Sequence, residues 1–99
     1  MNSNTIQSID FKELRDLSAS AAQTAGEYVL GEYENFIPHQ TKSSASDFVT
    51  SVDKNTETLI VKLIRAQRPA DSFLGEEGTN QKGSTDVTWV IDPIDGTTN

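Results

Sequence analysis

Four carboxylates in this sequence stand where short apolar runs end. Glu76 and Glu77 follow Ser72-Phe73-Leu74-Gly75, and Asp92 and Asp95 follow the run from Val87 to Ile91. Carboxylates at the ends of neighbouring strands converge on one point, which is how loops on a rigid sheet build sites. Such convergence suits Mg²⁺, which takes hard oxygen ligands in near-octahedral geometry and combines one or two carboxylates with water and substrate phosphate. Within Asp92-Pro93-Ile94-Asp95-Gly96, Pro93 drives Asp92 into an extended conformation and supplies no amide hydrogen of its own. The chain then turns, so Asp95 points back toward Asp92 and the carbonyl between them becomes a candidate third ligand. Gly96-Thr97-Thr98 reads as the start of a helix whose free amides would seat a phosphate. Metal beside an anion seat is the arrangement that water attack on a phosphoryl group requires. Of the glutamate pair, Glu76 is read as the ligand and Glu77 as an exposed neighbour, because only one of two adjacent side chains can point inward.

These residues need elements to hold them. From Asp10 to about Tyr33 the apolar residues Phe11, Leu14, Leu17, Ala21, Ala25 and Tyr28 or Val29 recur at helical steps of three and four. Asp10 with Glu13 reads as a capping box at its start, and Gly31 is a candidate terminator. Ala19, Ala21, Ala22 and Ala25 thin one face so that another element can approach. Phe36 to Thr41 reads as a short strand interrupted by Pro38, Lys42 to Ser46 as a polar link, and Asp47 to Thr50 as a second extended piece. A second helix is expected from about Asp53 to Gln67, with Leu59, Ile60, Leu63 and Ile64 inward and Pro69 as its stop. Ser72 to Leu74 and Val87 to Ile91 are the strands, separated by a Gly-, Ser- and Asn-rich stretch over 78–86 that reads as a mobile loop. The order of elements points to a mixed α+β layer rather than a bundle.

Composition narrows the function classes. The chain has 99 residues, 34% of them hydrophobic, and a formal net charge of −7, so it buries only a modest core alone. Acidity argues against a phosphate-backbone contact surface, and no nucleic-acid partner is expected. It also requires bound cations if anionic substrates are to approach. With no cysteine, disulfides and thiolate metal sites are excluded together. No apolar run of 18 residues and no signal-like N-terminus is present, so no membrane partner is expected and the default location is cytoplasmic. The sequence stops at Asn99, inside its most ordered-looking segment, and this is read as truncation. Residues 1–9 are expected to be a flexible N-terminus and residues 10–99 the N-terminal α+β portion of a larger domain.

Gly75-Glu76-Glu77 together with Trp89-Val90-Ile91-Asp92-Pro93-Ile94-Asp95-Gly96-Thr97-Thr98-Asn99 resembles the inositol monophosphatase family. Lys42-Ser43-Ser44 and Asp47-Phe48-Val49-Thr50-Ser51-Val52-Asp53 match the same family in the same order. The resemblance implies the N-terminal part of the layered α/β/α/β/α sugar-phosphatase fold. It implies that Glu76 and Asp92 bind a first Mg²⁺ with the carbonyl of Ile94, and that Asp92 and Asp95 share a second. Asp95, Gly96 and Thr97 would form the substrate-binding side, the last two through their amides. Asp53 and Thr97 would pair and, with Glu76, form the catalytic group that orients and deprotonates the attacking water. Lys42 would sit on a mobile loop near a weaker metal. The implied reaction is direct in-line attack of metal-activated water on a phosphate monoester. The family's second metal takes a further aspartate from a C-terminal half that these residues do not include, and that half carries most contacts to the cyclitol or sugar.

Each residue also has a plainer reading. Asp92 and Asp95 alone would bracket a surface turn, and the full motif is what outweighs that. Asp53 alone would be a helix N-cap, a role compatible with fixing its carboxylate. Trp89 reads as core or interface packing, and His39 is given no role. The expected function is a Mg²⁺-dependent phosphatase acting on a small phosphorylated alcohol, with inositol monophosphate as the default substrate. Histidinol phosphate, a sugar bisphosphate or a nucleotide 3′-phosphate are alternatives, and a non-catalytic partnership with the transcription machinery is the competing class. The resemblance further implies a homodimer for the full-length protein, and the 99 residues alone are expected to be weakly active or inactive.

Overall fold

The computed structural model describes residues 9–36 and 45–92. Within them the chain forms α1 (Phe11–Asn35), α2 (Ala45–Gln67), β1 (Ser72–Gly75), β2 (Asn80–Gln81) and β3 (Thr88–Ile91). The α+β class expected from the sequence is what is found.

Helix α1 starts where its cap predicts. Asp10 is extended and its side chain accepts from the Glu13 amide at 3.1 Å, which satisfies one of the free donors of the first turn. The Glu13 carboxylate lies 3.8 Å from Arg68 Nη1, so it also ties this end to the chain beyond α2. Gly31 does not end the helix; α1 runs to Asn35, whose side-chain amide donates to the Gly31 carbonyl at 2.9 Å. Ala21 and Ala25 are the buried residues of α1, while Phe11, expected on the inner face, is exposed.

Helix α2 begins at Ala45, eight residues before the expected start. Asp47 to Thr50, read as extended from its local composition, is helical because tertiary contact decides it. Phe48 stacks on Phe36 with ring centroids 4.1 Å apart and meets Tyr33 edge-on at 5.1 Å, joining the end of α1 to the start of α2. The expected strand from Phe36 to Thr41 falls on the end cap of α1 and otherwise lies, with Lys42, outside the described residues.

The sheet has the order β2-β1-β3. β1 pairs with β3 in parallel, Phe73 opposite Trp89 and Gly75 opposite Ile91, and with β2 antiparallel, Leu74 opposite Asn80. Side chains alternate across a strand, so Phe73 and Ile91 join Ala21, Val61 and Ile64 in the buried core, with Leu17, Ile60, Leu63 and Trp89 packed around them. Leu74 and Val90, paired in register, are exposed. The stretch read as a mobile loop contains β2 and is pinned at several points: Gly83 N donates to Ser72 Oγ at 2.8 Å and Ser84 N to the Ala70 carbonyl at 2.7 Å.

Candidate active site

The parallel pairing of β1 and β3 brings the two acidic motifs together. Gly75 lies opposite Ile91, and the Glu76 amide donates to the Ile91 carbonyl at 3.2 Å. Glu76 and Asp92 therefore leave adjacent strand ends side by side. Hydrogen bonding to Asp92, and then its like charge, hold Glu76 above the usual carboxylate range, with Glu77 and Asp53 adding further negative charge. Glu76 is the exposed member of the glutamate pair and Glu77 the half-buried one, the reverse of the sequence expectation. What distinguishes Glu76 is its direction toward Asp92, not its burial.

Asp53 approaches from α2. It is not an N-cap, since α2 begins eight residues earlier, and it is buried in the middle of the helix. Its Oδ1 is buried with no hydrogen-bond donor among the described residues, a costly state for a carboxylate. Burial, and then the charge of Asp92, push its acidity constant upward. Asp92 thus raises the proton affinity of both Glu76 and Asp53.

An apolar cleft of about 510 Å³ has Asp92 among its lining residues. Ala21, Ala25 and Val29 of α1, Ile60 of α2 and Trp89 of β3 are among its walls. The small side chains expected to let another element approach α1 give this cleft its room.

Of the residues singled out from sequence, Asp53, Glu76 and Asp92 are brought together. Ile94, Asp95, Gly96 and Thr97 lie outside the described residues. Among the described residues no group of three or more His, Asp or Glu side chains is placed to hold a metal ion; the expected ligand set also draws on Ile94 and Asp95. The donor chemistry nonetheless fits a hard divalent cation. Every donor is an oxygen, and the mutual repulsion of Glu76, Asp92 and Asp53 is the kind a bound cation relieves.

Two carboxylates escaped the sequence reading. Glu57, one turn beyond Asp53, is 2% exposed and accepts from Glu77 N at 2.8 Å, Thr79 N at 3.1 Å and Thr79 Oγ1 at 2.6 Å. Asp71, just before β1, accepts from Arg68 Nε at 2.7 Å and Nη2 at 3.1 Å, Thr85 Oγ1 at 2.6 Å and Trp89 Nε1 at 2.9 Å. Trp89 is therefore packing and anchor at once. Arg68 three residues before Asp71 was a readable signal for the second; no spacing in the sequence marks Glu57.

The model of the inositol monophosphatase family matches residues 10–99, and the chain belongs to that family. It is 38% identical over 93 residues to inositol monophosphatase 1 of Sus scrofa, covering 90% of this chain and 34% of that protein. It is 41% identical over 86 residues to the Nus factor SuhB of Vibrio cholerae, covering 85% of this chain and 32% of the relative, and 40% identical over 88 residues to the Nus factor SuhB of Escherichia coli strain K12, with the same two shares. The chain spans about a third of the length of these relatives. No helix among the described residues is long and apolar enough to cross a membrane.

Proposed function

We propose that this chain is the N-terminal portion of a Mg²⁺-dependent phosphate-monoester hydrolase, with inositol monophosphate the default substrate. The observation that carries the reading is that the β1–β3 pairing sets Glu76 and Asp92 on neighbouring strand ends, while the buried Asp53 of α2 lies within the influence of the Asp92 charge. Mg²⁺ held by Glu76, Asp92, Asp95 and the Ile94 carbonyl would supply a counter-charge for the phosphate and acidify water. Asp53, with its raised proton affinity and unengaged oxygen, is suited to take the proton from the attacking water. Thr97 would orient that water with Asp53, and the amides of Gly96 and Thr97, with Asp95 beside them, would seat the phosphate. A cytoplasmic location and a homodimeric full-length protein accompany this reading.

The test is release of inorganic phosphate by the full-length protein from inositol, histidinol, sugar and nucleotide 3′-phosphates, with and without Mg²⁺. Asp92→Asn should lower turnover at least about a hundredfold, the several kcal/mol that a metal-centred charge clamp is worth. Intact turnover in that variant would sink the mechanism. A second reading, partnership with the transcription machinery, is favoured by the relatives named Nus factor. A full-length protein that binds polymerase components yet hydrolyses none of these esters would support it instead.

A further inference from the structure

We infer that Glu57 is a positioning residue for the proposed metal centre: from inside α2 it clamps the turn that carries Glu76. This rests on the phosphatase reading above and extends it to a residue that touches neither metal nor substrate.

The turn after β1 is closed by Gly75 N donating to the Thr79 carbonyl at 2.9 Å, and Gly78 takes a φ of 118°, a left-handed conformation that favours glycine. Such a turn presents several amides to one side. Glu57 fills that side, with its two oxygens taking the Glu77 amide and both the amide and hydroxyl of Thr79. The residues it grips lie directly after Glu76 and three beyond it.

Gly75 makes the approach possible. A Cβ at that position would overlap the Glu57 carboxyl group, so the absence of a side chain there is what lets the carboxylate reach the turn. The opposite side of Glu76 is fixed by its own amide on the Ile91 carbonyl. Glu76 is thus held from β3 on one side and from α2 on the other.

The helix also sets a distance. Asp53 and Glu57 are four residues apart on α2, so they share one face. The same rigid segment therefore presents the proton acceptor Asp53 to the site and anchors the turn bearing Glu76. Loosening the anchor lets Glu76 move relative to Asp53 and Asp92 while all three side chains remain.

The experiment uses the full-length protein and measures Mg²⁺ affinity by calorimetry, the Mg²⁺ concentration for half-maximal turnover, KM for inositol monophosphate and thermal stability. Glu57→Gln keeps the size of the side chain but replaces one acceptor with a donor that faces donors. It should weaken Mg²⁺ affinity and raise the Mg²⁺ requirement by about tenfold, the lower end of what residues supporting metal ligands contribute, and leave KM within about twofold. Thr79→Val removes only the hydroxyl contact and should shift the Mg²⁺ requirement in the same direction by less. Asp71→Asn, at the opposite end of β1, should lower thermal stability without moving the Mg²⁺ requirement, and so separates positioning from general loosening. If Glu57→Gln lowers stability like Asp71→Asn and leaves Mg²⁺ affinity unchanged, the inference is overturned while the phosphatase reading stands. If wild-type protein binds Mg²⁺ but hydrolyses no ester, that reading fails and the calorimetric shift alone decides on Glu57. If wild-type protein binds no Mg²⁺, both fall.

Discussion

Asp71, Glu57 and Asp53 are three buried carboxylates in very different electrostatic circumstances. Asp71 takes four hydrogen bonds, and although burial pushes its acidity constant up, the bonds from Arg68, Thr85 and Trp89 and the charge of Arg68 more than reverse this, so it lies below its ordinary value of 3.8. Asp53 has the opposite balance, with burial and Asp92 raising it and one oxygen without a donor among the described residues. The satisfied carboxylates tie elements of the fold together; the unsatisfied one is the group that the proposed phosphatase reading assigns to the chemistry. Asp71→Ala should cost about 2–3 kcal/mol, because three donating side chains lose their common acceptor. A group whose folded value is depressed stabilises fully above its unfolded value and loses that contribution as pH falls through the folded one. The stability gap between wild type and Asp71→Ala, measured by urea unfolding, should therefore be full at pH 6 and shrink as pH drops below 3.8. A gap constant from pH 6 to pH 2 would show that Asp71 acts by packing alone. At this scale the sequence was readable for position, since Glu76 and Asp92 do follow neighbouring strands. It was silent for Glu57, whose role depends on a turn twenty residues away.

The elements show where local reading stops. α1 was legible because its cap, Asp10, and its apolar steps are local, whereas its end was not: the helix runs past Gly31 to Asn35, whose side chain bonds back to the Gly31 carbonyl. α2 was misjudged at its start for a related reason. Asp47 to Thr50 contains the β-branched residues and aromatic that suit a strand, but Phe48 gains more by packing on Phe36 and Tyr33 across the helix junction. Phe48→Ala should cost about 1–2 kcal/mol, the packing of a half-buried ring plus its aromatic contacts. Hydrogen exchange should then show the loss concentrated between Ala45 and Val52, with β1 and β3 protected as before. Equal loss of protection in β1 would mean that this junction is coupled to the sheet rather than local to the helix ends. The strands themselves were placed within a residue, since a short β-branched or aromatic run bounded by turn residues leaves few alternatives. β2 was missed because Asn80-Gln81 pairs only through its backbone, and no side-chain pattern announces that.

At the scale of all the described residues, the helices pack on the side of the sheet that carries Phe73 and Ile91. The core of Phe73, Ile91, Val61, Ile64 and Ala21 lies on that side, while Leu74 and Val90 stand exposed on the other. The cleft that Asp92 helps to line is mostly apolar, so within the described residues there is little to recognise the hydroxyl groups of a cyclitol or sugar. Specific recognition of a polar ligand needs directed hydrogen-bonding groups. On the proposed reading the described residues provide Asp53, Glu76 and Asp92 for the chemistry, and the chain spans about a third of the length of its relatives. Chemistry without recognition predicts a particular deficit. On the phosphatase reading, the 99-residue chain alone should turn over inositol monophosphate at least about a hundredfold more slowly than the full-length protein, since losing substrate positioning of this kind costs that much by itself. Phosphate release at saturating Mg²⁺, compared between the two proteins, is the measurement. Comparable rates would mean that the cleft beside α1 already positions the substrate, and that recognition resides in these elements after all.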